Sequence, residues 1–252
     1  MVYMSQGTNV QGEVLNGGDA GSSCIPAAGG ELGTGPATDC PLCSELQPVE
    51  NTPLQRMLQR AAPERHLYAN KVVTVLPDMA PVTEGHLLLT TNRHVFSYSY
   101  LTAEERAIAW KTLEALHALL EPIYGPVAFF EHGSTSGTRR RGACIDHAHI
   151  HIIPTHDKQF EECISGYMGG PPEELRGLSG LAAYAGEAYL MYGSTERICV
   201  WRPPLGTASQ VIRKVCWEQF GNPDHWDWAI PADSGAVSKT ISTLSSLRDL
   251  SL

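Results

Sequence analysis

The sequence predicts an α+β fold in which a mainly antiparallel sheet packs against one long helix. Short apolar runs that are typical of strands follow one another in pairs, at residues 72–76 and 85–90 and then at 127–131 and 148–154. One long segment of helical spacing separates the two pairs. Because no crossover helix lies between the members of most pairs, neighbouring strands are expected to run antiparallel.

The long helix is predicted to begin after Thr102. Thr102 and Glu105 form the capping-box pattern, in which each side chain satisfies a backbone N–H at the other position. Apolar residues then recur at roughly helical spacing until Pro122 and Gly125, which are expected to end the helix. These apolar positions are Ile108, Leu113, Leu116, Leu119 and Leu120.

Composition divides the chain into three parts. Residues 1–38 are rich in Gly, Ala, Ser and Thr and are predicted to be a disordered tail, since they cannot bury enough apolar surface to offset their ordering entropy. Residues 39–160 contain the strands and the long helix, with a short helix expected around 53–61. Residues 161–252 are predicted to form a smaller α/β extension.

The extension has its own pattern of elements. Residues 188–192 and 198–201 are predicted to form a hairpin, and residues 209–220 and 234–247 are predicted to be helical. Two tryptophans, Trp226 and Trp228, lie between these helices. They are expected to pack in the protein rather than to stack on a base.

Composition also excludes several classes of protein. A formal net charge of −9 argues against stable binding to nucleic acid, which needs a basic surface. No apolar run is long enough to cross a bilayer, and no signal-peptide pattern is present, so a cytoplasmic protein without a membrane partner is expected. The seven cysteines are an odd number, which argues against a complete disulfide framework.

The most informative pattern is an alternation of histidines near the middle of the chain. His147, His149 and His151 alternate with apolar residues. Every second residue of a strand lies on the same face, so the three imidazoles should project together while the intervening side chains face a core. A helix would scatter them. Three imidazoles on one sheet face suit either metal binding or phosphoryl chemistry.

This alternation resembles the motif of the histidine triad (HIT) superfamily of nucleotide hydrolases and transferases. The similarity extends upstream through Asp78, the pair Gly85-His86 and the pair Arg93-His94, and it covers roughly residues 40–154. It implies a HIT-like fold for the region 39–160. The later part of the chain is similar to C-terminal extensions of some bacterial, zinc-containing members.

The resemblance implies roles for two histidines of the motif. His149 would be the nucleophile that attacks the α-phosphorus and forms a covalent nucleotidyl-imidazole, a step open to a neutral imidazole. A hydrogen bond from its other ring nitrogen to a carbonyl is expected to fix the tautomer. His151 would lie beside a phosphate oxygen or the leaving group and assist proton transfer. Transferase branches often have Gln at this third position, so His151 favours hydrolysis.

The resemblance also implies residues that contact substrate. Asp78 would accept hydrogen bonds from ribose hydroxyls, although a simple turn residue is the competing interpretation, and His86 is expected to be structural. The loop before the triad would bind phosphate through small residues and guanidinium groups, although a solvated loop is the alternative for its arginines. The residues assigned to this loop site are Arg139, Arg140, Arg141, Gly142 and Cys144.

The phosphate loop departs from the usual family pattern at two points. Glu131-His132 stand where relatives have Asn, and Gly142-Ala143 stand where relatives have Gly-Gln. The basic run of the loop is expected to compensate for these losses, because guanidinium pairs well with phosphate.

A structural zinc site is the other implication of the resemblance. Cys40, Cys43, His94 and His147 match the ligands of the zinc-containing branch, and four such ligands complete a closed tetrahedral site. Taken alone, the CxxC pattern would also fit a redox pair or free thiols. If His147 binds metal it cannot serve as an acid or base.

The predicted function is a nucleotide phosphohydrolase that acts on a nucleoside phosphate conjugate, such as a dinucleoside polyphosphate or a phosphoramidate. Three alternatives remain open: a nucleotidyltransferase, a biosynthetic enzyme with a redirected triad, and a nucleotide-binding module without turnover. A homodimer is also among the expectations, because many relatives pair.

Overall fold

The computed structural model describes residues 40–47, 52, 55–56, 65–135, 145–154, 160–208, 210–219 and 234–249. The predicted tail at 1–38, most of the helix expected around 53–61, and both Trp226 and Trp228 lie outside these residues.

The described helices and strands are as follows. The α-helices are α1 (Pro41–Leu46), α2 (Ala103–Tyr124), α3 (Phe160–Met168), α4 (Val211–Gln219) and α5 (Ser234–Thr243). The strands are β1 (Tyr68–Ala69), β2 (Val73–Pro77), β3 (Leu87–Thr91), β4 (Val127–Gly133), β5 (His149–Pro154), β6 (Glu173–Leu175), β7 (Tyr189–Gly193) and β8 (Ile198–Trp201). Short 3-10 helices span Tyr98–Tyr100, Leu178–Tyr184 and Ser245–Asp249.

The eight strands form one sheet in the order β1-β2-β3-β5-β4-β7-β8-β6. Each described strand pair is antiparallel. The α+β prediction with an antiparallel sheet is therefore confirmed, as is the hairpin of β7 and β8. The C-terminal extension continues this sheet, because β7 pairs directly with β4.

The long helix α2 begins as predicted and ends before Gly125, one of the two residues that were expected to end it. Both hydrogen bonds of the capping box are present between Thr102 and Glu105. Pro122 lies inside the last turn and does not stop the helix, which continues to Tyr124. Proline there removes one hydrogen bond in an exposed final turn, and Gly125 with φ of 83° then ends the helix. Within the described part of the chain, no helix is long and apolar enough to cross a membrane.

The sheet separates two apolar cores. On one face, α2 and α5 pack over the sheet through buried residues that include Leu113, Leu116 and Ile241. On the other face, α3 and α4 pack against Phe130 and Ile153. The triad strand β5 occupies the centre of the sheet between β3 and β4, so its side chains are held from both neighbouring strands.

Candidate active site and metal centre

Strand β5 divides its side chains between the two faces of the sheet as the alternation predicts. Ala148, Ile150 and Ile152 are buried in the core beneath α2. The histidine side chains therefore lie on the other face of the sheet. His151 is opposite Leu88 on β3 and Phe130 on β4, and its ring stacks on that of Phe130 with centroids 4.2 Å apart.

His147 faces the two cysteines of α1. Its Nε2–H donates to the carbonyl of Thr91 at 2.8 Å, so its Nδ1 carries a lone pair. That Nδ1 lies 3.4 Å from Sγ of both Cys40 and Cys43. His94 Nδ1 lies 3.3 Å from Sγ of Cys43. We call these four residues, Cys40, Cys43, His94 and His147, the sulfur cluster.

The donor atoms of the sulfur cluster fit one tetrahedral metal ion. In a zinc site with Zn–S of about 2.3 Å and Zn–N of about 2.0–2.1 Å, neighbouring sulfur and nitrogen ligands lie about 3.5 Å apart. The distances of 3.3–3.4 Å are close to that value. The hydrogen bond between the thiols raises the pKa of Cys40 and lowers the pKa of Cys43, and the imidazole contacts lower the pKa of Cys43 further. The cluster could therefore hold a metal ion.

His149 lies beside the sulfur cluster, and one of its ring nitrogens has no hydrogen-bond partner in the described part of the chain. Its Nδ1–H donates to the carbonyl of His147 at 2.6 Å, which leaves the lone pair on Nε2. The side chain is partly buried, and burial lowers its pKa to about 4. The imidazole is therefore neutral at pH 7. The structure contains the carbonyl hydrogen bond that was expected to fix the tautomer.

His151 belongs to a second group of polar residues, all of them buried. His86 Nε2 lies 2.9 Å from His151 Nδ1, and Oδ2 of Asp78 lies 3.4 Å from both of these nitrogens. Arg213 on α4 contacts the same Oδ2 through Nη1 at 3.2 Å. We call Asp78, His86, His151 and Arg213 the carboxylate cluster.

The charges of the carboxylate cluster favour an ionised carboxyl and neutral imidazoles. Burial opposes ionisation of Asp78, but the neighbouring imidazoles and the guanidinium of Arg213 hold its pKa well below the usual range. Burial lowers the pKa of His86 to about 4 and holds that of His151 well below its usual range. Asp78 is buried and also accepts a hydrogen bond from the Ala80 N–H at 2.7 Å, so its predicted contact with ribose stays a prediction.

Two of the residues that depart from the family pattern, Glu131 and His132, point to opposite faces of β4. His132 lies on the triad face, where its Nε2 accepts a hydrogen bond from the Ile212 N–H at 3.5 Å, and burial lowers its pKa to about 3. Glu131 lies in the opposite core and accepts hydrogen bonds from the Tyr98 N–H at 2.9 Å and from the Tyr189 hydroxyl. Glu131 therefore cannot replace a phosphate contact. The residues Arg139, Arg140, Arg141, Gly142 and Cys144 lie outside the described part of the chain.

Two members of the carboxylate cluster were not predicted as site residues. His86 was expected to be structural, and its position after Gly85 in the family pattern was the signal that could have placed it near the triad. Arg213 is separated from Asp78 by 135 residues along the chain, and no local pattern connects the two.

Comparisons with known proteins agree with this geometry. Residues 59–158 match the family model of the HIT domain. The bifunctional bis(5′-adenosyl)-triphosphatase/adenylylsulfatase FHIT of Arabidopsis thaliana is 26% identical over 100 residues, which are 40% of this chain and 54% of that protein. This chain thus spans about half the length of that relative. Residues 59–158 therefore carry the HIT domain of the histidine triad superfamily.

Solved structures of HIT proteins are also similar to parts of the chain. The NitFhit protein of C. elegans is 25% identical with a TM-score of 0.34, over 37% of this chain and 22% of that one. A HIT family member from Bacillus subtilis is 19% identical with a TM-score of 0.38, over 48% of this chain and 75% of that one.

Proposed function

We propose that this chain is a nucleotide phosphohydrolase that cleaves a nucleoside phosphate conjugate at the α-phosphate through a covalent intermediate on His149. The observation that carries the proposal is the orientation of this ring. Its Nδ1–H is bound to the His147 carbonyl, and its Nε2 lone pair has no hydrogen-bond partner among the described residues. A neutral imidazole with a fixed tautomer is suited to nucleophilic catalysis at neutral pH.

The reaction proceeds in two displacements. In the first, the Nε2 lone pair of His149 forms an N–P bond while the bond from phosphorus to the leaving group breaks, and the leaving group departs with the electron pair. The resulting nucleotidyl-imidazole is positively charged and keeps its Nδ1–H, which the His147 carbonyl stabilises. In the second, water attacks phosphorus and loses a proton to the solvent. The N–P bond breaks, and its electron pair returns to Nε2. The product is a nucleoside monophosphate.

His151 is the second catalytic residue of the proposal. Its ring lies next to that of His149, with centroids 4.9 Å apart, so a phosphoryl group on His149 would be within its reach. A hydrogen bond from His151 to a phosphoryl or leaving-group oxygen would stabilise the charge that develops in each displacement. The arginines and small residues of the loop at 139–144 remain the proposed phosphate contacts.

We further propose that the metal of the sulfur cluster is Zn²⁺ and that its role is structural. Cys40, Cys43, His94 and His147 would hold it, and four protein ligands leave no position open for substrate. The bound ion would fix the backbone of His147, whose carbonyl orients the nucleophile. A cytoplasmic location and a homodimer stay predictions.

Trapping the intermediate tests the function. The variant His151→Ala is incubated with bis(5′-adenosyl) triphosphate, adenylyl sulfate and adenosine 5′-phosphoramidate, and the protein is examined by mass spectrometry. We expect an adenylyl adduct on His149. His149→Ala should form no adduct, whereas His117→Ala, which changes a histidine on α2 away from the triad, should turn over like the wild type.

The outcomes separate the rival functions. Wild-type turnover in H₂¹⁸O places the label on the released monophosphate if water resolves the adduct. An adduct that is resolved only by an added acceptor, with no label in the product, would identify a nucleotidyltransferase instead. No adduct and no turnover across the panel would contradict the proposal and favour a binding module.

A further inference from the structure

Helix α4 brings one side chain from outside the HIT domain into the triad site. Arg213 lies beyond residues 59–158 and is buried, with its guanidinium between Asp78 Oδ2 and the Ala80 carbonyl. Its neighbours Ile212 and Val215 are buried in the core between α3 and α4. The backbone of the helix therefore holds Arg213 in place, and the side chain does not have to order itself when substrate binds.

The hydrogen bonds on the other side of Asp78 have a fixed direction. The Val82 N–H donates to His86 Nδ1 at 3.1 Å, so the proton of neutral His86 is on Nε2. That Nε2–H lies 2.9 Å from His151 Nδ1, which must then accept the hydrogen bond. The proton of neutral His151 is therefore on Nε2. His151 is presented to a substrate as a hydrogen-bond donor.

Asp78 could disturb this arrangement if its charge were uncompensated. Its Oδ2 is 3.4 Å from His151 Nδ1, close enough to attract a proton to that nitrogen. An Nδ1–H on His151 would then face the Nε2–H of His86 at 2.9 Å, and the two donors would repel each other. The guanidinium of Arg213 holds and neutralises the same oxygen atom, 3.2 Å away.

We propose that Arg213 is a positioning residue of the triad site, and that by holding Asp78 it keeps His151 neutral with its proton on Nε2. Asp78 then acts on His151, in a role separate from its predicted contact with ribose. This inference rests on the proposed function for its kinetic consequences and on the hydrogen-bond geometry for its structural ones. Among the described residues, the titratable groups next to His151 are Asp78, His86 and His149, and Arg213 contacts Asp78.

A metal ion is a poorer explanation of the same cluster. Asp78, His86 and His151 are close enough to share one ion. Two imidazole ligands of a tetrahedral zinc ion, however, have their nitrogens about 3.3 Å apart, whereas the two nitrogens here are 2.9 Å apart. Arg213 also places a positive charge on the carboxylate oxygen that would bind the ion. The distances fit a hydrogen-bonded array.

The tautomer of His151 tests the inference without any substrate. The full chain is labelled with ¹⁵N-histidine, the His151 signals are assigned by their absence in His151→Gln, and the protonated ring nitrogens are identified by long-range ¹H–¹⁵N correlation at pH 7. We expect neutral His151 with a proton on Nε2. Arg213→Met should add a proton at Nδ1, and Lys214→Met on the same helix should leave the wild-type pattern.

Kinetics test the positioning role on a substrate of the proposed panel. Arg213→Met should lower kcat on the order of 100-fold, the scale of a misplaced catalytic group, with little change in KM. Arg213→Lys, which keeps the charge without the planar fork, should recover part of kcat together with the wild-type tautomer. If Arg213→Met fails to fold, the His151 tautomer and the kinetic constants of Arg213→Lys and Asp78→Asn test the positioning role instead.

Several results would overturn the inference. An unchanged His151 tautomer in folded Arg213→Met would exclude the positioning role, and a rise in KM alone would make Arg213 a substrate contact. If no substrate is turned over, the proposed function fails. The His151 tautomer in Arg213→Met then still tests whether Arg213 positions His151.

Discussion

The sulfur cluster and the carboxylate cluster lie on the same face of the sheet, and each takes one histidine of the triad. In the sulfur cluster, a carbonyl fixes the Nε2–H of His147 and leaves Nδ1 facing two thiols. In the carboxylate cluster, the Nε2–H of His86 binds Nδ1 of His151 and leaves the Nε2–H of His151 available as a donor. Identical side chains four residues apart thus belong to two different groups, a candidate metal site and a hydrogen-bonded array.

The comparison shows that the partner of one ring nitrogen determines what the other can do. His149, between the two clusters, has a third arrangement, in which its Nδ1 is bound to a carbonyl and its Nε2 has no hydrogen-bond partner within the described ranges. The alternation of the sequence places the three rings on one face, but the surrounding strands and helices assign their chemistry.

Removing the thiols of Cys40 and Cys43 should break the sulfur cluster and have the largest of the expected effects on zinc content and stability. We expect the wild type to bind one equivalent of zinc and the double variant Cys40→Ser, Cys43→Ser to bind none, because hydroxyls are poor ligands for zinc. The free energy of unfolding should fall on the order of 5 kcal/mol, since binding of a structural metal is coupled to folding. Metal content by mass spectrometry and chemical denaturation measure the two effects.

A control variant tests whether zinc binding depends on the sulfur cluster. Cys163→Ser, which changes a cysteine on α3 outside the sulfur cluster, should retain the zinc and the stability. Zinc that remained at one equivalent in the double variant would show that the metal binds elsewhere, with the carboxylate cluster as the first candidate.

Part of this site could be predicted from the sequence because it depends on local periodicity. The spacing of His149 and His151 specifies a shared face on any strand, and the family pattern connected Cys40, Cys43 and His94 to His147. The capping box of α2 is equally local. These features need no knowledge of how distant elements pack.

The rest of the site depends on packing that no short pattern encodes. Arg213 reaches Asp78 only because α4 lies against the sheet, and its neighbours in sequence are ordinary apolar residues. The direction of the His86–His151 hydrogen bond follows from a backbone N–H at Val82. Glu131 was considered with the phosphate loop, but the register of β4 turns it into the opposite core.

Glu131 provides a second contrast, because it is a buried carboxyl without the cation that Asp78 has. Burial raises its pKa to about 8, whereas that of Asp78 is lowered. A carboxyl whose pKa is raised in the folded state contributes most to the free energy of unfolding when the pH is below its unfolded pKa of 4.5. This contribution is lost as the pH rises toward 8.

Glu131→Gln should remove that pH dependence. The amide can still accept from the Tyr98 N–H and hydrogen-bond the Tyr189 hydroxyl, but it does not ionise. The free energy of unfolding of the wild type should therefore fall relative to the variant as the pH rises from 4.5 to 8. The slope approaches about 1.4 kcal/mol per pH unit at most. Urea denaturation at several pH values measures this slope. If the free energy of unfolding changes with pH equally in the wild type and the variant, the raised pKa of Glu131 is contradicted.

The smallest expected effect concerns the support of the sulfur cluster by α2. Glu105 of the capping box also binds the guanidinium of Arg93 at 3.0 Å, and Arg93 precedes the ligand His94. Thr102→Ala should lower the free energy of unfolding by about 1 kcal/mol through loss of the cap. Bound zinc should stay at one equivalent, because the interactions that place His94 extend beyond the cap.

Thr102→Ser is the matched control, since it keeps the hydroxyl that accepts the Glu105 N–H and should keep most of the stability. A loss of zinc in Thr102→Ala but not in Thr102→Ser would show that the start of α2 positions His94. The sulfur cluster would then depend on a helix terminus as the carboxylate cluster depends on α4, and the two sites would be more alike than their donor atoms indicate.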